Sequence, residues 1–315
     1  MNLKKFKLEK EFRKGCSIII PTWNSQVVLQ KCLDSILSAF PKNVPLELII
    51  IDKSSTDNTK KIINNWVRRN KYNFIDIPTH IYTENGVLGK ARLKGIEKSK
   101  YPTIFWLDSD IVLPKNYIED LFAYTKKMKF KHSLDKISMI QGTMLSNNDL
   151  ASKFWHNHDV DKKADDRKYT QISGVPTANL LTLKVSLKMN KKEKEMLSVL
   201  RTGEDSFLAI ISTKNGYKHY MYPIYTDHLE SEVIADEGDY KMLWFLCGYM
   251  SSGISKPMAL WKLKWIERQG LRSFLATGNI RIFIYTINIY IKMLRACVKD
   301  ERIINQKRLR SLKNW

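Results

Sequence analysis

Short runs of β-branched and aliphatic residues recur between Ser17 and Asp110, and each run stops at polar side chains. Segments with the apolar spacing of amphipathic helices separate these runs. This alternation is typical of an α/β fold with a parallel sheet, whose ligands bind at the carboxyl ends of the strands. We therefore expect the polar clusters to meet in one site. They are Thr22 with Asn24, Asp52, Tyr82 with Glu84 and Asn85, and Asp108 with Asp110.

The same patterns predict the individual elements of the chain. Apolar runs bounded by turn residues indicate strands, and apolar residues at helical spacing indicate helices. Glu204 and Asp205 open one of these helices, where carboxylates interact well with the helix dipole. The predicted strands are 17–20, 46–51, 75–82, 104–107, 137–144 and an edge strand at 219–225, and the predicted helices are 27–40, 59–69, 88–99 and 207–212.

Asp108 and Asp110 follow the apolar run 104–107 directly. Side chains at positions i and i+2 of an extended segment share a face, so both carboxylates can reach one ligand. Oxygen ligands suit Mg²⁺ or Mn²⁺, which commonly bridge to substrate phosphates. The pair indicates a site for a metal and a diphosphate. A solvated turn is the simpler alternative for an isolated Asp-x-Asp, so the other clusters carry the interpretation.

Charge and cysteine usage restrict the class of protein. The 315 residues are 43% hydrophobic, which allows a sizeable core, and the net charge of +21 indicates an anionic partner. Nucleic acid, an acidic membrane surface or a phosphorylated substrate would each qualify. The cysteines show no zinc or C-x-x-C spacing, which favours buried thiols in a reducing compartment. They are Cys16, Cys32, Cys247 and Cys297.

Neither a secretory signal peptide nor a transmembrane helix is expected. The segment 1–14 is charged, and no uninterrupted apolar run of about 18 residues occurs. We therefore expect a cytoplasmic protein, peripheral on the cytoplasmic face of a membrane.

Five motifs, in this order, resemble those of the family 2 glycosyltransferases, which have the GT-A fold. The last of them, Thr-Gly-Glu-Asp at 202–205, is similar to the acidic catalytic motif of that family. The resemblance implies transfer of a sugar from a UDP- or GDP-sugar, with Mn²⁺ or Mg²⁺, and inversion at the anomeric carbon. The other motifs are Ile-Pro-Thr-Trp-Asn-Ser at 20–25, Ile-Asp-Lys-Ser-Ser-Thr-Asp-Asn-Thr at 51–59, Asn-Gly-Val-Leu-Gly-Lys-Ala-Arg-Leu-Lys-Gly-Ile at 85–96 and Leu-Asp-Ser-Asp at 107–110.

The resemblance also implies roles for individual residues. Asp205, with Glu204 beside it, becomes the candidate general base, because an attacking hydroxyl must lose its proton; a plain helix cap is the alternative. Asp52 is expected to contact the nucleobase. The metal ligands are expected to be Asp108, Asp110 and His228. The residues expected to bind the donor are Pro21, Thr22, Trp23, Asn24, Asp52, Asn85, Lys90, Arg92, Asp108 and Ser109.

The sequence departs from the family pattern at several positions. Trp23 stands where tyrosine is more common, and Leu93 replaces an asparagine. Lys53 and Ser54 stand where the family often has Asp or Asn-Gly, so the loop after Asp52 is expected to differ. The Gln-x-x-Arg-Trp motif of processive members is missing its tryptophan at Ser273, which favours a non-processive enzyme.

The last quarter of the chain differs in character. Residues 241–315 hold 15 Lys and Arg against 3 Asp and Glu, so +12 of the net +21 lies there. Polar residues recur along one stripe of an otherwise apolar helix at 280–298. Such a helix can lie in an anionic membrane interface or pack on the catalytic domain with its polar stripe in water. The stripe comprises Arg281, Asn288, Lys292, Arg295 and Lys299.

These features predict a GT-A catalytic domain at 1–230, with a nucleotide-binding half at 15–112 and an acceptor half at 113–230. A basic helical tail at 231–315 would associate with a membrane. The expected acceptor is a saccharide or lipid-linked and close to the membrane, and no nucleic-acid partner is expected. A basic nucleic-acid-binding protein and a nucleotidyltransferase are the alternatives. The segment 147–169, with His156 and His158, could bind metal or form a solvated acceptor-side loop.

Overall fold

One mixed β-sheet with helices on both faces organises the described part of the chain. The computed structural model describes residues 6–72, 77–128, 133–146, 170–171, 177–201, 203–229 and parts of 271–291. The first half alternates strand and helix as predicted. Its elements are α1 (Lys7–Phe12), β1 (Cys16–Thr22), α2 (Leu29–Ala39), β2 (Leu46–Asp52), α3 (Thr59–Tyr72), β3 (Thr79–Thr83), α4 (Leu88–Lys98) and β4 (Thr103–Leu107).

The second half adds strands of mixed direction. Among the described residues up to His228, it also adds three α-helices, the last two of which precede the last long strand. The elements are β5 (Ile111–Val112), α5 (Tyr117–Lys127), β6 (Ile137–Ser146), β7 (Thr170–Gln171), β8 (Asn179–Leu183), α6 (Lys191–Val199), α7 (Glu204–Lys214) and β9 (Lys218–His228).

The strand order within the described residues is β3-β2-β1-β4-β8-β6-β9-β5, and β7 also pairs with β9. Strands β3, β2, β1 and β4 are parallel. Strand β8 runs antiparallel to both β4 and β6, and β6 and β9 are parallel to each other. The parallel half brings Thr22, Asp52 and Thr83 to the same edge, because they pair in register at the strand ends.

Alternating side chains of the buried strands form a core on each face. Ile18, Ile50 and Phe105 pack with helices α2, α3 and α5, whereas Ile19 and Trp106 pack with α6 and α7 on the opposite face. Both faces of the central strands are covered, and this explains why the sequences of these strands are continuous apolar runs.

Two predicted elements differ in the structure. Strand β3 comprises Thr79–Thr83, so residues 77–78 of the predicted strand 75–82 lie before it, and residues 75–76 lie outside the described residues. The predicted edge strand at 219–225 is wrong as an edge, because β9 pairs with β6 on one side and with β5 and β7 on the other. Over the described residues, no helix is both long and apolar enough to cross a membrane.

Candidate active site

The loops after β1 and β2 are tied together at the carboxyl edge of the sheet. The Asn24 side-chain oxygen accepts a hydrogen bond from the backbone of Thr56, and its own backbone N–H donates to Ser55 Oγ. Asn24 and Ser54 both have a φ of 49°, a left-handed conformation that is uncommon outside glycine. Such backbone positions are costly and are often found at functional sites. The two loops therefore form one rigid rim.

Asp52 lies inside this rim rather than on its surface. Its side chain is fully buried and accepts hydrogen bonds from Thr22 Oγ1, Ser55 Oγ and the Ser55 backbone N–H. Lys60 Nζ lies 3.6 Å from the carboxylate. Three hydrogen bonds thus hold Asp52 within the loops, and its expected contact with a nucleobase stays a prediction. Thr22, also buried, has the same structural role.

Trp23 and Lys53 lie together on the solvent-exposed side of this rim. The Trp23 side chain is 62% exposed, an unusual position for a tryptophan. The Lys53 ammonium lies 4.6 Å from the centre of the indole ring, within the range of a cation–π interaction. Asn85, which accepts a hydrogen bond from Ser54 Oγ, borders the same surface. Lys53 was not among the predicted site residues, although its departure from the family pattern had marked this loop as different.

Helix α4 carries two predicted donor-binding cations that point in different directions. Lys90 is half exposed, and its ammonium lies 3.0 Å from the Glu84 carboxylate. Burial raises the pKa of Glu84, but the hydrogen bond and charge of Lys90 outweigh it, so the pKa is lowered overall. Arg92, by contrast, is 99% buried, since only 1% of its side chain reaches solvent. Its contacts are therefore with protein groups, and its predicted contact with a donor stays a prediction.

Arg92 joins the two acidic motifs. Its Nη2 donates to Asp108 Oδ1 at 2.6 Å, and its Nε lies 3.8 Å from Glu204 Oε1. The guanidinium also lies over the Trp106 ring, 5.4 Å from the ring centre. Burial raises the pKa of Asp108, and the positive charge of Arg92 partly offsets that rise. The strand-end carboxylate and the N-terminus of α7 thus share one buried cation.

Asp110 has a different partner. Its Oδ2 lies 3.1 Å from His228 Nε2, and strand pairing between β5 and β9 holds the two side chains together. Asp110 Oδ1 is buried and has no hydrogen-bond partner among the described residues. A buried carboxylate oxygen without a donor is costly unless a ligand or cation completes it. Within the described ranges, no group of three or more His, Cys, Asp or Glu side chains is placed to hold a metal.

Glu204 and Asp205 begin helix α7 after Gly203, whose φ of 76° turns the chain into the helix. Glu204 is buried; this burial and the neighbouring Asp205 charge raise its pKa to about 8. Asp205 is only partly buried, and its Oδ1 accepts from the Ser206 backbone N–H. Removal from water raises the pKa of Asp205, while that hydrogen bond opposes the rise. Of the two, Asp205 is the carboxylate with access to solvent.

A close backbone contact positions this acidic helix against α4. The Gly89 N–H donates to the Leu200 carbonyl at 2.9 Å. A Cβ atom at Gly89 would lie 2.0 Å from the Leu197 carbonyl oxygen, so only glycine fits. The backbone at Leu197 and Leu200, at the end of α6, therefore lies directly on the first turn of α4.

The remaining predicted residues lie on the same rim or beyond the described part. Ser109 Oγ lies 3.0 Å from Ser25 Oγ, which links the loop after β4 to that after β1. Pro21 is partly buried within β1. The segment 147–169, with His156 and His158, lies outside the described residues.

Comparison with known proteins decides the family. The model of glycosyl transferase family 2 matches residues 17–188, more than half of the chain. The chain belongs to this family. The motifs at 20–25, 51–59, 85–96 and 107–110 lie inside the match, whereas Glu204, Asp205 and His228 lie beyond it.

Relatives cover a smaller part of the chain. A segment of 114 residues is 33% identical to poly(ribitol-phosphate) β-N-acetylglucosaminyltransferase TarP of Staphylococcus aureus and covers 36% of this chain and 34% of TarP. A segment of 118 residues is 30% identical to the uncharacterized glycosyltransferase MG060 of Mycoplasma genitalium, over 36% of this chain and 38% of that protein. The matches thus span little more than a third of these relatives.

Solved structures of glycosyltransferases share the fold. Mannosyltransferase PcManGT from Pyrobaculum calidifontis superposes with a TM-score of 0.56 at 15% identity, over 93% of this chain and 89% of that chain. GalNAc-T7 superposes with a TM-score of 0.53 at 12% identity, over 75% of this chain and 50% of that chain. The predicted GT-A architecture, a mostly parallel sheet with flanking helices, is confirmed.

Proposed function

We propose that this family 2 member is an inverting, non-processive glycosyltransferase. It moves a sugar from a UDP- or GDP-sugar, with Mn²⁺ or Mg²⁺, to a saccharide or lipid-linked acceptor. The observation that carries this proposal is the grouping at the sheet edge of Asp110 with His228 and of Asp108 with Glu204 through Arg92. A nucleic-acid-binding protein or a nucleotidyltransferase is not favoured, because family membership accounts for the same carboxylates.

Asp110 and His228 are the residues that fit a cation. The unpartnered Oδ1 of Asp110 and the adjacent imidazole offer one oxygen and one nitrogen ligand. Two protein ligands are few, and they suit a divalent ion whose remaining positions are filled by diphosphate oxygens. When bound, the cation would neutralise charge on the departing nucleoside diphosphate. Two structural neighbours, PcManGT and GalNAc-T7, were solved with Mn²⁺ and a nucleotide or nucleotide sugar.

Asp108 has a separate task in this scheme. Arg92 holds its Oδ1, so we assign Asp108 to the donor rather than, as first expected, to the metal, which Asp110 and His228 would bind. Its proposed partner is a hydroxyl group of the donor, because an ionised carboxylate is an acceptor only.

Trp23 and Lys53 are the proposed contacts of the nucleobase. An exposed indole provides a face on which any base can stack. The Lys53 ammonium is a donor only, so it would bind a carbonyl oxygen of uracil or guanine rather than an N–H group. Asp52 supports this surface from below through Ser55.

Asp205 is the proposed general base. It lies at the N-terminus of α7, is partly open to solvent and has a raised pKa, which brings a carboxylate closer to the basicity that proton abstraction requires. It would take the proton of the acceptor hydroxyl as that oxygen attacks the anomeric carbon. Glu204, buried against Arg92, holds the helix terminus in place and does not contact the acceptor.

The acceptor is proposed to be anionic or membrane-proximal, at the cytoplasmic face. The relative TarP is named for a poly(ribitol-phosphate) acceptor, and the net charge of +21 would suit phosphate-bearing polymers or lipids.

Calorimetric titration with UDP- and GDP-sugars, with and without Mn²⁺, tests the donor site. We expect one nucleotide sugar to bind only when the cation is present. The variant Asp110→Asn should lose this cation-dependent binding. Glu97→Gln, an exposed carboxylate paired with Lys194, is the matched control and should bind as the unmodified protein does. Equal donor affinity in Asp110→Asn and Glu97→Gln would refute the metal assignment.

A further inference from the structure

Exposed apolar side chains are concentrated in the C-terminal part of the described chain. Elsewhere in the described residues, large exposed apolar side chains are scattered among separate loops and elements, as is normal for a protein surface. A dense group is unusual and marks an interaction surface. Its members are Leu271, Leu275, Ile280, Phe283, Ile284, Ile287 and Ile291.

Five of these residues form one face of a helix. The described residues between Ile280 and Ile291 are helical, and at about 100° per residue the five project within an arc of about 100°. We call this set the apolar arc: Ile280, Phe283, Ile284, Ile287 and Ile291, with exposures between 40% and 60%. Thr286, roughly 60° beyond the edge of the arc at that spacing, is buried with 6% exposure. The helix thus contacts protein on another side and leaves the arc open.

A basic and polar stripe borders the apolar arc. Arg281 and Asn288 project next to it and are exposed. In sequence, Lys292, Arg295 and Lys299 continue that stripe at helical spacing. An exposed apolar face flanked by cations is the pattern of a helix that lies in a membrane interface. A helix packed on the catalytic domain would instead bury its isoleucines and expose only the polar stripe.

Charge favours an anionic lipid surface over a second copy of the chain. Residues 241–315 carry a net +12, so two copies meeting at the arc would bring like charges together. Anionic headgroups attract the same charge, and the acyl boundary accepts the isoleucines.

We propose that the apolar arc and its basic border dock this protein on an anionic membrane surface. The inference deepens the proposed function by placing the enzyme beside a membrane-bound acceptor. Membrane docking does not depend on the donor site, because donor binding is measured separately by calorimetry in solution.

Co-sedimentation of the full-length protein with vesicles tests the proposal. Vesicles of equal parts phosphatidylcholine and phosphatidylglycerol should retain the protein, and phosphatidylcholine alone should retain it weakly. High salt should reverse binding only in part, because salt screens the charge attraction but not apolar burial. The double variant Ile284→Asp with Ile287→Asp should lose at least tenfold in vesicle affinity.

The matched control is the double variant Val185→Asp with Val199→Asp, which introduces the same charges at isolated exposed residues. It should bind vesicles as the unmodified protein does. Both double variants should bind donor normally, which separates this test from that of the active site. The proposal is overturned by a protein that stays in the supernatant with anionic vesicles at low salt. It is also overturned by equal vesicle binding of the two double variants. A concentration-dependent dimer that Ile284→Asp with Ile287→Asp abolishes, without vesicle binding, would assign the arc to self-association instead.

Discussion

Replacing Arg92 by methionine removes the cation that lies between Asp108 and Glu204. Methionine keeps most of the apolar stem that packs near Trp106 but cannot donate to either carboxylate. Removing one partner of a buried ion pair typically costs about 3–5 kcal/mol, because a buried charge is left uncompensated.

Two features of the site reduce that cost. The Asp108 side chain is 38% exposed, so water screens part of its charge. The pKa of Glu204 is raised to about 8, so this side chain is already largely protonated at neutral pH and leaves little uncompensated charge when the guanidinium is gone. We therefore expect Arg92→Met to lower the free energy of unfolding by about 2–3 kcal/mol at neutral pH. For a chain of 315 residues, whose entropy of unfolding is about 2.1 cal/mol/K per residue, that loss corresponds to about 3–5 °C in Tm.

Thermal unfolding followed by circular dichroism measures this effect, and donor titration measures its consequence for Asp108. Arg69→Met is the matched control, since Arg69 pairs with Asp34 at a half-exposed surface and should cost about 1 kcal/mol or less. Arg92→Lys should have a stability between those of Arg92→Met and Arg69→Met, because lysine keeps the positive charge but lacks the planar guanidinium group. A Tm for Arg92→Met equal to that of Arg69→Met would refute this account.

Further predictions concern the acidic motif and its supports. Asp205→Asn should bind donor normally and lose about a hundredfold to ten-thousandfold in kcat, measured by product release, because the amide cannot take a proton; near-normal turnover would place the base elsewhere. The pKa of Glu204 is higher in the folded than in the unfolded protein. Its stabilising effect is therefore full below about pH 4.5 and is lost as the pH rises through about 8. Tm measured across that range should fall less steeply in Glu204→Gln, and an unchanged slope would contradict the assignment. Gly89→Ala should cost about 1–3 kcal/mol by overpacking and also slow turnover, whereas a lower Tm with unchanged kcat would deny the link from α4 to α7. Trp23→Ala should weaken UDP or GDP binding by about 1–3 kcal/mol in calorimetry, and unchanged affinity would remove the stacking surface.

The parallel half of the fold was predictable because its strands are buried on both faces. Runs such as 46–51 contain little but aliphatic residues, and polar loops interrupt them at the sheet edge. Helix α6 was not predicted, since its sequence KKEKEMLSV is mostly charged and Met196 and Leu197 are its only buried apolar residues. Contact with α4, rather than its own amphipathic pattern, accounts for its place in the fold.

The orientation of polar side chains was much less predictable than their position. Asp52 ends β2 as expected, but its burial depends on hydroxyl groups from Thr22 and Ser55, and nothing in the local pattern indicates which of the residues after a strand turns inward. The sequence suggested that the carboxylate of Asp52 would face a ligand, but in the structure Asp52 is buried and its neighbour Lys53 is exposed.

The link between the two acidic motifs depends on one helix position. Gly89 lets the first turn of α4 approach the backbone at Leu197 and Leu200, and this approach brings the buried Arg92 between Asp108 and Glu204. A larger residue at Gly89 would move α4 away from that backbone and lengthen both ion pairs. Asp108 and the helix that carries Asp205 are consequently one packed unit, so substitutions at Asp108 and Glu204 should not be additive in their effects on stability or turnover.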